Sequence, residues 1–129
     1  MKNPVKLLLV FAGIFGLIGS LMGAHMAGSG SYALRPIHAH ILVVGWLSLF
    51  SWSVFYKVFD VEYNALSKLH VWSAIIGTTG LVIGMFLTNV ISFNLPEVFT
   101  LIVYIGGGVA LLLSFVAFFV QTILYQPKK

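Results

Sequence analysis

The chain has 129 residues, of which 60% are hydrophobic and 8% charged, carries a formal charge of +4, and contains no cysteine. A soluble domain carries roughly 25% charged residues, so the composition points to a membrane protein. The missing thiols exclude disulfides, iron–sulfur clusters and thiolate metal sites. The basic excess does not point to nucleic acid, because the lysines lie in short patches between long apolar runs.

Four apolar runs, about 5–24, 37–59, 69–88 and 98–124, each reach the ~20 residues that carry a helix across the hydrocarbon core. Lipid offers backbone groups no partner, so helices are expected rather than open strands. The first run follows Lys2 and Lys6 in the manner of a signal peptide, but it is long enough to span and is read as a helix. Gly13, Gly16, Gly19 and Gly23 form one stripe along it, and Met22, His25 and Met26 cluster at its far end. A glycine stripe fits close helix packing, or leaves room for a flat macrocycle. Thioether with imidazole would suit Cu(I).

The connections, about 28–36, 60–67 and 89–97, are short, so successive helices should be antiparallel neighbours in an all-α, up-down four-helix bundle forming a single domain over 1–129. Lys2, Lys6, Lys57, Lys68, Lys128 and Lys129 all fall on one side of such a bundle, and Arg35 alone among the cations falls on the other. The positive-inside bias makes the lysine side cytoplasmic, with both termini there, in a multi-pass protein of the cell inner membrane.

The second run opens with Arg35-Pro36-Ile37-His38-Ala39-His40, and proline suits a helix's first turn. Ionisable residues inside a membrane point to function. On an α-helix two residues separated by one other diverge by ~200°, so His38 and His40 would address opposite faces. Below His38 lie Ile41, Leu42, Gly45 and Trp52, and below His40 lie Val43, Val44, Leu47 and Ser51. Apolar faces with an imidazole at the top suit haem better than a hydrated cation. Without cysteine no covalent c-type linkage is possible, and non-covalently bound haem b is the expected cofactor.

In the third run His70 opens the helix on the lysine side, roughly 30 Å from His38, and is expected to face headgroups or a helix end. Gly77, Gly80 and Gly84 form a second stripe, and Gly106, Gly107 and Gly108 interrupt the fourth run, which follows a turn at Asn94-Leu95-Pro96-Glu97. The acids Asp60, Glu62 and Glu97 all lie in connections. No carboxylate pair or nucleophile–base set is present, so no catalytic residue is assigned.

The stretch Leu34-Arg35-Pro36-Ile37-His38-Ala39-His40-Ile41-Leu42-Val43-Val44-Gly45-Trp46 resembles the start of helix two in the catalytic subunit of haem-copper oxidases. The similarity is closest to the cbb3-type oxidases and nitric oxide reductases. Leu69-His70-Val71-Trp72 is a weaker echo of the same family and assigns His70 no role. The resemblance implies that His38 is an axial ligand of a low-spin haem near the outer face. The family's tenth helix carries a His-x-His whose rings reach two different haems, as His38 and His40 would. Family members have about twelve helices in three arcs of four, an arrangement that a cyclic homotrimer of four-helix chains would copy by symmetry. The chain lacks the family's copper-binding histidines, so no haem–copper centre is implied.

The reading is therefore a membrane b-type cytochrome for electron transfer or gas binding, with a role as a component of an oxidoreductase left open. The expected cofactor site comprises Arg35, His38, His40, Gly45 and Trp46, with His25 as a further metal ligand. A homo-oligomer, with a trimer favoured over a dimer, would receive electrons from a quinol or a cytochrome. The alternatives are a copper-handling protein built on Met22, His25 and Met26, and a non-catalytic subunit of a respiratory complex.

Overall fold

The computed structural model describes residues 4–90 and 95–126. The expectations that rest on Lys2, Asn94, Lys128 and Lys129 lie outside the described residues. The four expected runs form four helices: α1 (Val5–Ser29), α2 (Arg35–Val58), α3 (Ala65–Asn89) and α4 (Glu97–Leu124). All four are long and apolar enough to cross a membrane. Leu17, Leu21, Ile102 and Phe119 stand outward and exposed, the reverse of a soluble protein's surface. The chain is an all-helical, multi-pass membrane protein.

The helix ends follow local chemistry and extend past the apolar runs. α1 continues from the expected Ala24 to Ser29, where Gly30 takes the left-handed conformation (φ 65°) that ends a helix without a Cβ penalty. Pro36 occupies the first turn of α2. α3 begins before Leu69, because the Asn64 side chain accepts a hydrogen bond from the Ser67 N–H (3.1 Å) and caps the first turn. Pro96 precedes α4, and Glu97 supplies a negative charge where the helix dipole favours one.

α2 is not one regular helix. Arg35–His40 is α-helical, Ile41–Ser48 is a π-helix, and Leu49–Val58 is α-helical again. The buried residues Ile37, Ile41, Gly45 and Leu49 recur every four positions. In an α-helix each step of four overshoots by ~40°, and such a row would wind off the core. Bonding i→i+5 widens the turn, so the row stays in line. The Ser48 hydroxyl donates to the Val43 carbonyl, five residues back (2.9 Å).

α3 is the central helix, with buried residues along its whole length. α1 packs on α2, and α4 packs almost wholly on α3. The glycines explain both contacts. On α1, Gly16 receives Trp46, Gly19 receives Leu42 and Gly23 receives His38, while Gly13 meets nothing. A Cβ on Gly77 would run into the Leu111 backbone, one on Gly84 into Tyr104, and one on Gly107 into the Leu81 backbone. At Gly80 a Cβ would stand 3.2 Å from the Gly107 Cα. The two stripes are used for close packing.

A clean contrast follows from this geometry. Gly107→Ala should destabilise the protein by about 1–3 kcal/mol through overpacking. Gly106→Ala, with nothing within 4 Å of the new methyl, should be neutral or slightly stabilising. Helix loss followed by circular dichroism in detergent on heating measures both. Equal melting of the two variants would mean that the α3–α4 contact is looser than described.

Candidate functional sites at the two ends of the bundle

The Arg35 end holds most of the residues the sequence singles out. His38 turns inward: its ring occupies the space that Gly23 leaves on α1, with Cε1 3.0 Å from where a glycine Cβ would stand. Its Nδ1 is buried with no hydrogen-bond partner. His40 lies on the other side of α2, half-buried, with Nδ1 2.8 Å from the Pro36 carbonyl oxygen one turn back. A carbonyl can only accept, so His40 Nδ1 carries the proton and Nε2 the lone pair.

The faces below the two histidines differ as the divergence requires. Ile41, Gly45 and Trp52 below His38 are buried, whereas Val43, Leu47 and Ser51 below His40 are exposed. The gap at Gly45 is filled within the chain by the Phe15 ring, and Trp46 is exposed along one edge and lies against Gly16. The interior face of His38 therefore has no room for a macrocycle inside one chain. The exposed side of α2 carries His40.

Arg35 is exposed, and its guanidinium stacks over the Tyr32 ring at 4.6 Å. His25 is also exposed, whereas Met26 is buried in the core and Met22 partly so. Among the described residues no three His, Asp or Glu side chains gather as a metal site.

The lysine end holds what the sequence reading missed. His70 does not face headgroups; it is fully buried, with 0% of its surface exposed. Trp52 meets it edge to face at 4.7 Å between ring centres, and Phe118 lies 5.4 Å away. The Tyr56 hydroxyl sits 2.7 Å from His70 Nδ1 and 3.0 Å from Gln121 Oε1. Ser67 Oγ is 3.1 Å from the same Gln121 oxygen and 2.8 Å from the Glu62 carbonyl. Three helices thus share one buried polar network, with Tyr56 from α2, Ser67 and His70 from α3, and Gln121 from α4.

The hydrogens in this network are linked. If Tyr56 donates to Gln121 Oε1, His70 Nδ1–H must donate to Tyr56, and His70 Nε2 is left with its lone pair. Exchanging the amide oxygen and nitrogen reverses the direction. Gln121 then donates to Tyr56 and Ser67, Ser67 donates to Glu62, and Tyr56 donates to His70. In both settings His70 Nε2 and one amide atom of Gln121 stay buried without a partner.

A glutamine three residues from the end of an apolar helix and a tyrosine near the end of another were visible in the sequence. Only their convergence was not. Beside the network lies a cavity of about 610 Å³ whose lining includes Tyr56, Phe59, Tyr63, Ser67, Gln121 and Tyr125. This cavity lies at the opposite end of the bundle from His38 and His40.

No protein-family model, curated protein or solved structure matches the chain.

Tyr56→Phe should remove two hydrogen bonds and leave His70 and Gln121 further unsatisfied. Buried hydrogen bonds between membrane helices contribute up to about 1–2 kcal/mol, so a loss of that size is expected. Unfolding of the purified variant by titration with sodium dodecyl sulfate measures it. Wild-type stability would remove the network from the forces that join α2, α3 and α4.

Proposed function

We propose that the protein is a b-type haem protein of the inner membrane, with both termini cytoplasmic, that binds haem between chains of a homo-oligomer for electron transfer or gas binding. One observation carries the reading: the hydrogen bond from His40 Nδ1 to the Pro36 carbonyl. Histidines that ligate metals commonly donate their other ring N–H to a carbonyl, which fixes the tautomer and the ring orientation. His40 meets that requirement and leaves Nε2 free on the exposed side of α2. Bound there, haem would supply an iron able to exchange electrons or take up a small gas.

His38 supplies the second ligand in this reading, contributed from a neighbouring chain, because the two rings of one chain diverge. The apolar surface of Val43 and Leu47 would cover the ring system, and the exposed Trp46 would flank it. Arg35, exposed at the same end, is free to pair with propionates once it leaves the Tyr32 ring, since a charge-assisted bond to carboxylate outweighs an exposed cation–π contact. Phe15 fills the gap at Gly45 and holds α1 against α2, which keeps this face rigid. A cyclic trimer satisfies both histidines of every chain, whereas a dimer would draw on His25. A quinol or a cytochrome would deliver the electrons.

Absorption spectra of the purified protein test the assignment. His40→Ala and His38→Ala should each abolish or shift the Soret band, and His70→Ala should leave it unchanged. A Soret band untouched by both of the first two replacements would overturn the ligation. Native mass spectrometry should give one haem per chain in a trimer; a monomer that keeps its haem would refute binding between chains.

Arg35→Gln should lower the haem midpoint potential, because removing a nearby positive charge favours the oxidised iron. A potentiometric titration reads the change, and an unchanged or raised potential places Arg35 away from the haem.

A further inference from the structure

At the lysine end a recess of about 390 Å³ opens between α1 and α2, lined by Val5, Lys6, Leu9 and Lys57. Lys6 stands in the first turn of α1 and Lys57 in the last turn of α2, so antiparallel packing brings both to one level of the bundle. The frame around them is fixed. Ser53, one turn before Lys57 and only 1% exposed, donates its hydroxyl to the Val5 carbonyl at 3.2 Å and ties the start of α1 to α2.

Charge sets the class of ligand. Both lysines are exposed, and neither makes a hydrogen bond or an ion pair with a described residue. No acidic residue stands in the first turn of α1, and Asp60 and Glu62 line the other cavity rather than this recess. Two cations on separate helices therefore border one recess, and a compact anion neutralises both. An ammonium on a flexible stem binds phosphate as a point charge, without the fixed fork of an arginine.

The surface beyond the lysines narrows the class further. Lys6, Leu9 and Gly13 share one face of α1 at helical spacing, and Lys57, Val54 and Phe50 share one face of α2. All six are exposed. Gly13 alone in its stripe packs against nothing, so its position on that face stays open. Going inward from the helix ends, the recess thus leads onto two apolar faces with a gap between their side chains. A free phosphate would use the lysines only, whereas a phospholipid uses the lysines with its headgroup and the apolar faces with a chain. A zwitterionic headgroup brings its own cation beside the two ammoniums, which disfavours it. Basic recesses between membrane helices suit anionic headgroups for these reasons.

We propose that the recess between Lys6 and Lys57 holds the phosphate of an anionic phospholipid, with one acyl chain lying along Leu9, Gly13 and Val54. The site is separate from the histidines of the opposite end and stands whether or not haem is held there.

Native mass spectrometry of the full chain in detergent tests it. The probes are dioleoyl phosphatidylglycerol as the anionic lipid, dioleoyl phosphatidylcholine as the zwitterionic one, and glycerol phosphate as a headgroup without chains. One phosphatidylglycerol per chain should survive collision energies that strip phosphatidylcholine, and glycerol phosphate should not bind. Lys6→Gln and Lys57→Gln should each weaken phosphatidylglycerol binding about fivefold, and the double variant more than tenfold. Lys68→Gln removes a cation of the same end that lies outside the recess, over the Tyr63 ring at 5.9 Å, and should leave binding unchanged. Gly13→Leu fills the gap without changing charge and should weaken the lipid severalfold. Equal retention of phosphatidylcholine would overturn the proposal, as would a loss in Lys68→Gln equal to that in Lys57→Gln, which would reveal diffuse surface charge. Tight binding of glycerol phosphate, or an unaltered affinity in Gly13→Leu, would show that no acyl chain is held. An oligomer that carries no lipid would show the recess covered by a neighbouring chain and would equally refute it.

Discussion

The backbone-to-backbone contact between α3 and α4 is the constraint on which the rest depends. In lipid the hydrophobic effect does not drive helices together, because acyl chains are as apolar as leucine. What remains is close packing, and close packing needs residues without bulk. Gly77 against Leu111, Gly80 against Gly107 and Gly84 against Tyr104 lock the two helices in one register. That register carries Phe115, Phe118 and Gln121, further along α4, to the level of Trp52, Tyr56 and His70. A slip of one residue would turn Gln121 away by ~100° and leave Tyr56 without that hydrogen-bond partner. The polar network is thus a consequence of glycines more than a turn away, and it adds direction to a contact that glycine alone leaves non-specific.

The π segment of α2 does for the other end what the glycines do for the lysine end. It keeps Ile37, Ile41, Gly45 and Leu49 in one line against α1 and α3. The cost is a stretch of weaker backbone geometry, accepted where i→i+5 bonding aligns a row that α-helical bonding would twist apart. With that line fixed inward, His40 is fixed outward and His38 is pressed towards Gly23. The two histidines are therefore not free to converge on a common ligand within one chain.

Much of this was legible in the sequence, and the limits have physical causes. The four spans were visible because hydropathy over twenty residues averages out local detail. The helix ends were not, since Gly30 and Asn64 set them by backbone conformation and capping beyond the apolar runs. The opposite directions of His38 and His40 followed from α-helical rotation and hold because Arg35–His40 is α-helical. The faces below were read on the assumption that the α-helix continued. The π turns over Ile41–Ser48 leave no mark in composition. His70 was misjudged for a different reason. Position near a helix end suggests headgroups, but its neighbours Trp52, Tyr56 and Phe118 come from two other helices. No spacing along one chain segment reports such a meeting.

The two ends are chemically distinct, and the path between them decides how they can be coupled. Tyr56 lies sixteen positions after His40 on α2, a separation of roughly 20–25 Å at helical rise. The buried polar side chains in between are hydroxyls. Ser53 and Ser114 spend their hydrogens on backbone carbonyls, at 3.2 and 2.7 Å. Thr78, buried to 1% exposure, has no partner at all. Among the described residues no carboxylate, lysine or arginine enters this region, so no protonatable group bridges the ends. Proton transfer needs a chain of exchangeable sites, and the described residues supply none across this stretch. Any proton exchange of the buried network around His70 is therefore confined to the lysine end.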